Sequence, residues 1–463
     1  MKQYLYGASI GGIQKYIFKT NDLRSIVGAS ELVKSINEEI KLEEKNIIIN
    51  AAGNIRLVFD ENKLDELKNL VLTFPKRIMQ KRFGIHIFQA IIEFDDKINF
   101  MSALQELEKA LAIQQNKHQI PLDLTPFFVK IEPKSGRGLA IKDSKIVENH
   151  DKATLQKLEK YKEIYQEKNL EIPKNGKKKT AVIHADGNSI GTRIGSKIKS
   201  PEEYKKFSQN LEKATKEAFK SANKSTYSIR EIILGGDDMS IICDANIALE
   251  FTRDFIVAFE KNTKKYLEED ITMCAGIAFC NHKFPFHYAI NLAEQLCSFA
   301  KKNSKAIDKK SPPSSLMFYN TQNSSFDDYE LQTIPQELCL QNNEEEIFLN
   351  FGPYFLTKQD EFSTIDDFLE VAKMLKTDAS PRTRLRDYLT ILGQNSYEAK
   401  EQLSRIKQIL QLKNKFDIDE FEKRLKNLNA KLEFEAPFLV RNNAKFTPFH
   451  ELISYISVID EER

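Results

Sequence analysis

Short apolar runs closed by turn residues alternate with longer stretches of helical spacing over the first 320 residues. The clearest case is Ser228-Ile229-Arg230-Glu231-Ile232-Ile233-Leu234, followed by Gly235-Gly236-Asp237-Asp238 and then Met239-Ser240-Ile241-Ile242-Cys243. Both flanks are rich in β-branched residues and lack proline, so they read as two strands joined by a tight turn. Upstream, Thr180 to Ala185 reads as a short buried strand ending in Asp186-Gly187-Asn188. The same reading places helices near 201–222, 246–267 and 286–302, and strands at 271–279 and 316–319. Asn303 to Ser315, with Pro312-Pro313, reads as an exposed loop before the last of these strands. Strand-helix-strand-strand-helix-strand is the order of a split βαβ, or ferredoxin-like, unit. Such a sheet sets the end of its first strand beside the hairpin of the next two, which brings Asp186 to Asp237 and Asp238.

The pattern occurs twice. A strand at 3–9 leads through Ser9-Ile10-Gly11-Gly12 into a helix, and strands at 46–50 and 55–60 flank Ala51-Ala52-Gly53-Asn54. A helix near 62–80, a strand at 84–94, a helix near 102–115 and a strand at 126–132 complete the set. Matching elements lie about 180 residues apart, the mark of a duplicated domain. The copies differ where chemistry is expected: Ser9 stands in the place of Asp186, and the 51–54 turn holds no acid. The expected fold class is therefore α+β, with a degenerate first copy at 1–142 and an acid-bearing second copy at 180–330. A basic helical linker is expected over 143–179, and a helical C-terminal domain over 345–463, where Leu403, Ile406, Ile409, Leu410 and Leu412 form an apolar face.

Adjacent carboxylates repel one another, and desolvation raises their pKa, so Asp237 and Asp238 make best sense around a divalent cation. Asp186 adds a third hard oxygen ligand, which suits a site for two Mg²⁺ or Mn²⁺ ions. The glycines Gly235 and Gly236 leave room for a ligand beside the turn, and the free N–H groups near Gly187 and Asn188 are expected to receive phosphate. Lys301 and Lys302 end the 286–302 helix, where one of them can reach a triphosphate; lysines also favour a helix C-terminus for its negative end.

Composition narrows the field. The 463 residues suffice for two to four domains, and a formal net charge of +2 exerts no global pull on nucleic acid. Residues 151–180 hold nine lysines against five acids, which reads as a solvated helix or an RNA-contacting patch. Five cysteines without a C-x-x-C pair fit a reducing cytoplasm and argue against a structural zinc. No run has the length of a membrane span, and the first twelve residues lack the apolar core of a signal peptide. Two further motifs carry little weight. His150-Asp151 lacks the other ligands of a nuclease metal cluster. Gly7-Ala8-Ser9-Ile10-Gly11 matches a nucleophile elbow but follows only the first few residues, where the strand-to-helix turn of the repeat explains its glycines.

Taken together, several stretches resemble one family, the palm-domain polymerase and cyclase subunit of type III CRISPR effector complexes. In the first copy these are Gly11-Gly12-Ile13-Gln14-Lys15-Tyr16-Ile17-Phe18 and Gly28-Ala29-Ser30. In the second they are His184-Ala185-Asp186-Gly187-Asn188, the 235–238 turn, Cys274-Ala275-Gly276-Ile277-Ala278, His282-Lys283-Phe284-Pro285-Phe286, Ala293-Glu294 and Ala300-Lys301-Lys302. The likeness is to a short form, without the histidine-aspartate nuclease domain and the zinc-binding cysteines that many members have. It implies two palms, with cyclic oligoadenylate made from ATP at the second. It also implies a C-terminal domain that touches a neighbouring effector subunit. Where relatives often have a further acid, this chain has Asn188.

The reading that follows is a metal-dependent nucleotidyltransferase acting on ATP in antiviral defence. Asp186, Asp237 and Asp238 are its expected catalytic and metal-binding residues. Gly187, Asn188, Gly235, Gly236 and Lys301 are its expected nucleotide contacts. A second nucleotide is expected against the first palm or a second protomer of a homodimer. The rival is a non-catalytic palm subunit kept for assembly of an RNA-guided complex.

Overall fold

The computed structural model describes residues 2–460 apart from 41, 44–45, 52, 96–98, 118–129, 134–135, 144, 167–170, 323–327, 343–344, 414 and 442. The chain divides into two compact units, 1–171 with 190–213 and 172–189 with 214–463.

The first unit begins with β1 (Gln3–Gly11), α1 (Ile13–Ile17) and α2 (Leu23–Lys34), continues with β2 (Ile47–Ala51), β3 (Asn54–Asp60) and α3 (Leu64–Lys81), and then β4 (His86–Phe94) and α4 (Phe100–Asn116). The strands form one antiparallel sheet in the order β2-β3-β1-β4. Leu104, Leu107 and Leu111 of α4 bury against Leu5 and Phe94 of the sheet. Gly7 of β1 lies so close that a Cβ there would meet Leu107 at 2.8 Å. The strand expected at 126–132 falls largely outside the described residues; Ile131 makes a single bridge to Gly138.

The expected helical linker is only partly helical. A hairpin of β5 (Leu139–Lys142) and β6 (Lys145–Asp151) precedes α5 (Lys152–Tyr165). Nor is α5 a free solvated helix: it packs on α2 so tightly that a Cβ on Gly28 would meet the Lys157 carbonyl at 1.9 Å. Lys157 is buried, donates to the Tyr16 carbonyl and lies over the Tyr16 ring, so it is unavailable to RNA. Asp151 caps α5 by accepting from the Thr154 amide at 2.7 Å, which gives the His150-Asp151 dipeptide a structural part. The Gly7-to-Gly11 motif lies wholly within β1 and forms no elbow.

The duplicate follows as β7 (Lys179–Gly187), α6 (Ile190–Lys197), α7 (Pro201–Ala222), β8 (Ile229–Gly235), β9 (Asp238–Asp244), α8 (Ala248–Leu267), β10 (Met273–Asn281), α9 (Phe286–Ile307) and β11 (Ser315–Asn320). Its first strand starts 176 residues after that of the first copy (Gln3, Lys179), and its fourth 187 after (His86, Met273). The sheet has six strands, β14-β11-β10-β7-β9-β8, where β14 is Tyr354–Phe355. β7 is central, and burial of both its faces explains the near-continuous apolar run that marks it in sequence. α9 runs on past residue 302 to Ile307, because no breaker intervenes before Pro312; the loop before β11 is shorter than expected.

The rest of the chain adds α10 (Ile334–Glu337), β12 (Cys339–Asn342), β13 (Glu345–Phe348) and five helices: α11 (Ile365–Leu375), α12 (Arg382–Leu392), α13 (Ser396–Lys413), α14 (Ile418–Leu428) and α15 (Phe449–Val458). β15 (Leu439–Arg441) and β16 (Ala444–Phe446) precede the last helix. The region is helical as expected, with a small four-stranded sheet, β12-β13-β16-β15, added to it. In α13 the buried face is Leu403, Ile406 and Leu410, while Leu412 points outward and is 85% exposed.

Candidate metal centre

The second sheet places three carboxylates at one edge of its central strands. Asp186, next to last in β7, pairs directly with Asp238, the first residue of β9. Gly235 pairs with Asp238 on the other side, which leaves Gly236-Asp237 as a two-residue turn. Only Gly236 of this turn takes positive φ, +62°, the demand met by glycine at the first central position. Oxygen atoms of Asp186, Asp237 and Asp238 lie within 4.8 Å of one another.

Several contacts hold the tip in place. The Gly187 amide donates to the Asp237 carbonyl at 3.3 Å, and the Asn188 amide to the Thr272 carbonyl at 2.8 Å. Both N–H groups expected to receive phosphate are therefore already engaged. Asn188 is buried, and its side-chain amide donates to Thr272 Oγ1 at 3.0 Å, so it braces the turn after Asp186 from behind. Buried Thr215 on α7 donates to the Gly236 carbonyl at 2.5 Å. Nothing among the described residues comes within 4 Å of a Cβ built on Gly235 or Gly236, so the outer side of the hairpin is open to a ligand.

Behind the acids, His184 pairs across the sheet with Ser240, and its Nδ1 lies 3.1 Å from Ser240 Oγ. Two residues from Asp186 along a strand, it shares that residue's face of the sheet. Burial pushes its pKa down to about 4, so it is neutral at ordinary pH. Sequence reasoning did not single out His184, Ser240 or Thr215 as site residues. Alternation along β7 was the signal available for His184, whereas Thr215 shows itself only once α7 is packed.

The electrostatics are those of crowded acids with one cation. Burial and the charge of Asp186 push Asp237 up to about 6. Asp238 is raised further, by burial and by repulsion from Asp237 and Asp186; its side chain is exposed, so repulsion is the cause that counts there. Lys301 of α9 donates to the Asp186 carboxylate and, at 3.0 Å, to the Gly187 carbonyl. Burial works against its ammonium, but Asp186 outweighs burial and holds its pKa up. Lys302 turns elsewhere, to Glu330. The Phe284-Pro285-Phe286 segment follows the far end of β10, where Asn281 pairs with Lys179, about 25 Å from the acids by strand rise. It cannot wall a nucleotide held at Asp186.

Three carboxylates in mutual reach are hard oxygen donors of the kind Mg²⁺ and Mn²⁺ take, and their repulsion favours a cation among them. The residues fit a divalent metal.

The first copy preserves this frame without its charges. Ser9 pairs with Asn54 as Asp186 pairs with Asp238, and the Ile10 amide donates to the Gly53 carbonyl at 3.0 Å as Gly187 does to Asp237. Gln115 sits fifteen residues into α4, as Lys301 sits fifteen into α9, and its side chain donates to Ser9 Oγ at 3.0 Å. Ser9, Gly53, Asn54 and Gln115 thus occupy the places of Asp186, Asp237, Asp238 and Lys301.

Residues 179–309, the span holding the acids, Lys301 and the hairpin, match the model of the Cas10/Cmr2 second palm domain. The chain carries a Cas10-family palm domain. In fold, the whole chain resembles the solved Csm1-Csm4 cassette in complex with pppApApA, at 12% identity over 99% of this chain and 69% of that one, with a TM-score of 0.53. The cassette with cA4 gives 11% identity over the same shares and a TM-score of 0.52. For the cassette with AMPPNP the identity is 14%, over 68% of this chain, and the TM-score is 0.46. The chain spans 54% of the length of that last structure's chain, about half. No curated protein matches the sequence. At these identities the structural likeness shows the fold, and the Cas10-type palm is the part that the family model identifies. No helix among the described residues is long and apolar enough to cross a membrane.

Proposed function

We propose that the chain is a metal-dependent nucleotidyltransferase that joins or cyclises ATP into oligoadenylate, as a subunit of a type III CRISPR effector. The observation that carries this reading is the meeting of Asp186, Asp237 and Asp238 at the tip of a Cas10-type palm. When bound, two Mg²⁺ or Mn²⁺ ions would supply Lewis acidity at the attacking ribose hydroxyl and neutralise charge at the phosphates. Asp186, Asp237 and Asp238 are the residues that would hold them. Burial and the charge of Asp186 raise the Asp237 pKa to about 6, so acid competes with metal for this carboxylate. Gly235 and Gly236 leave the face of the hairpin clear for the nucleotide, and Lys301 offers the positive charge for its polyphosphate. His184, Ser240, Asn188 and Thr215 keep the acids in register, so that orientation is set before substrate arrives.

Similar solved structures contain Csm1 together with Csm4, bound to AMPPNP, pppApApA or cA4. We extend to this chain a Csm4-type partner and adenine nucleotides as ligands. The test is incubation of the pure protein, and of its assembled complex, with each nucleoside triphosphate and Mn²⁺ or Mg²⁺, followed by mass spectrometry. Linear or cyclic oligoadenylate that disappears with Asp186→Asn is expected. Absence of any product from both preparations overturns the reading in favour of a scaffold. Competition at equal ATP and GTP settles base choice, with adenosine expected to be favoured.

A further inference from the structure

Lys301 and a divalent cation seek the same atoms. Its ammonium donates to the Asp186 carboxylate and to the Gly187 carbonyl, at the end of β7, and it is the one cation paired with the three acids among the described residues. A metal bound to Asp186 faces this positive charge at close quarters, in a half-buried setting where charges are poorly screened. Lys301 therefore acts against metal binding as long as it remains on Asp186. A polyphosphate changes the balance, because it gives the ammonium another anion to pair with and brings further oxygen ligands to the metal.

The first copy shows that the contact is built into the repeat. Gln115 reaches Ser9 from the corresponding turn of α4, across the corresponding strand end, with neutral groups on both sides. Geometry is common to the two copies; charge is special to the second. A neutral donor at this place suffices to brace the strand end, so bracing does not account for a lysine in the second copy.

We propose that Lys301 couples the metal site to the nucleotide: it is the internal counter-ion of Asp186, and a triphosphate draws it away so that metal and nucleotide bind each other's complex far better than the free protein. This rests on the metal-site reading above. It assigns Lys301 a positioning role before chemistry begins. Linkage requires the effect to be reciprocal, so metal strengthens nucleotide binding by the same factor as nucleotide strengthens metal binding.

The experiment is calorimetric titration of Mn²⁺ into the full-length protein, with and without a non-hydrolysable ATP analogue, for wild type, Lys301→Met and Lys301→Gln. Lys301→Gln copies the Gln115 arrangement and guards against misfolding, which thermal melts check. For the wild type we expect weak binding of Mn²⁺ alone and a tightening of roughly ten-fold or more with the analogue, the usual range for coupled sites. In both variants Mn²⁺ alone should bind several-fold tighter than in the wild type, and the tightening by analogue should fall at least five-fold. An unchanged coupling factor in Lys301→Met and Lys301→Gln, or metal binding weakened by either variant without analogue, overturns the role of Lys301 while leaving the metal centre standing. Wild-type protein that binds no Mn²⁺, or binding that survives Asp186→Asn, overturns the metal centre and the coupling together.

Discussion

Asp186 and Asp238 face each other directly across one strand pair, the former next to last in β7 and the latter first in β9. Cross-strand partners lie about 5 Å apart at their Cβ atoms, so like charges placed there destabilise the sheet they sit in. The two acids sit together despite their mutual repulsion, the arrangement expected of a site that takes a cation. Asp237→Ala combined with Asp238→Ala should therefore abolish product, by roughly a thousand-fold or more if the acids hold the metals. The same variant should melt no lower than wild type, since repulsion is relieved. Product formation at the wild-type rate sinks the assignment, and a collapsed melting transition shows that the acids serve the fold.

The hairpin tip also depends on a residue outside it. Thr215 Oγ1 donates to the Gly236 carbonyl, and Gly236 carries the positive φ that sets up Asp237. Thr215→Val keeps the shape and removes the hydroxyl, at a cost of about 1–2 kcal/mol for the unmet carbonyl. Turnover should fall about ten-fold through a misplaced Asp237, with Thr215→Ser retaining most of the activity. Equal turnover in the Val and Ser variants, measured at saturating nucleotide and metal, refutes this.

Much of the frame was legible from sequence because it rests on local patterns. β8 and β9 announce themselves by β-branched runs around Gly235-Gly236-Asp237-Asp238, and the order of elements alone brings Asp186 to that turn. What escaped depends on packing. Asn188 looked free to bind phosphate until its amides were found bonded to Thr272. The lysine-rich stretch looked solvated, yet Gly28 lets α5 press onto α2 and buries Lys157. Phe284-Pro285-Phe286 follows the far end of β10, and only the strand register, Asn281 against Lys179, shows how far that is from Asp186. Pairing of Gln115 with Ser9 has no local signal, because it joins residues at opposite ends of the first repeat.

Stability should fall as pH rises from about 4.5 to about 7, and Glu451 is the reason to test. It is fully buried, accepts from the Tyr354 hydroxyl at 2.5 Å and from the Gly352 amide, and burial raises its pKa from 4.5 to about 7. Between these values the folded chain holds a proton that the unfolded chain has released, so stability is lost as pH climbs through the window and levels off above about 7. The span amounts to about 3 kcal/mol at most. Glu294, raised to about 7 by burial, adds a slope of the same sign, while His184, lowered to about 4, adds an opposite one below its unfolded value of 6.5. The difference between wild type and Glu451→Gln isolates Glu451. Denaturant midpoints from pH 5 to 8 should converge on the acid side and favour the variant on the alkaline side; parallel curves reject the assignment.

The close approach of α9 to the sheet sets where Lys301 can reach. A Cβ on Gly276 of β10 would meet the Ala293 carbonyl at 2.0 Å and the Cys297 amide nitrogen at 2.4 Å, both backbone atoms of α9 that cannot swing aside. Gly276→Ala should cost about 3 kcal/mol or more through this overpacking, and it should reduce activity even where the chain remains folded. Chemical denaturation gives the first quantity. A variant as stable as wild type shows that α9 is free to move outward and that its packing on β10 does not fix the reach of Lys301.

The first copy is expected to be silent in catalysis. Ser9, Gly53, Asn54 and Gln115 reproduce the frame of the acid site, down to the amide bond from Ile10 to Gly53, but supply no anionic ligand for a hard cation. Ser9→Ala with Asn54→Ala should leave the rate of product formation within about two-fold of wild type, because surface and near-surface changes without lost ligands are usually small. Asp186→Ala under the same conditions should leave none. The decisive companion measurement is Mn²⁺ stoichiometry by calorimetry, which should be unaltered by the Ser9 and Asn54 changes and abolished by the loss of Asp186. If Mn²⁺ is lost from the first variant and kept by the second, the active and silent copies have been assigned the wrong way round.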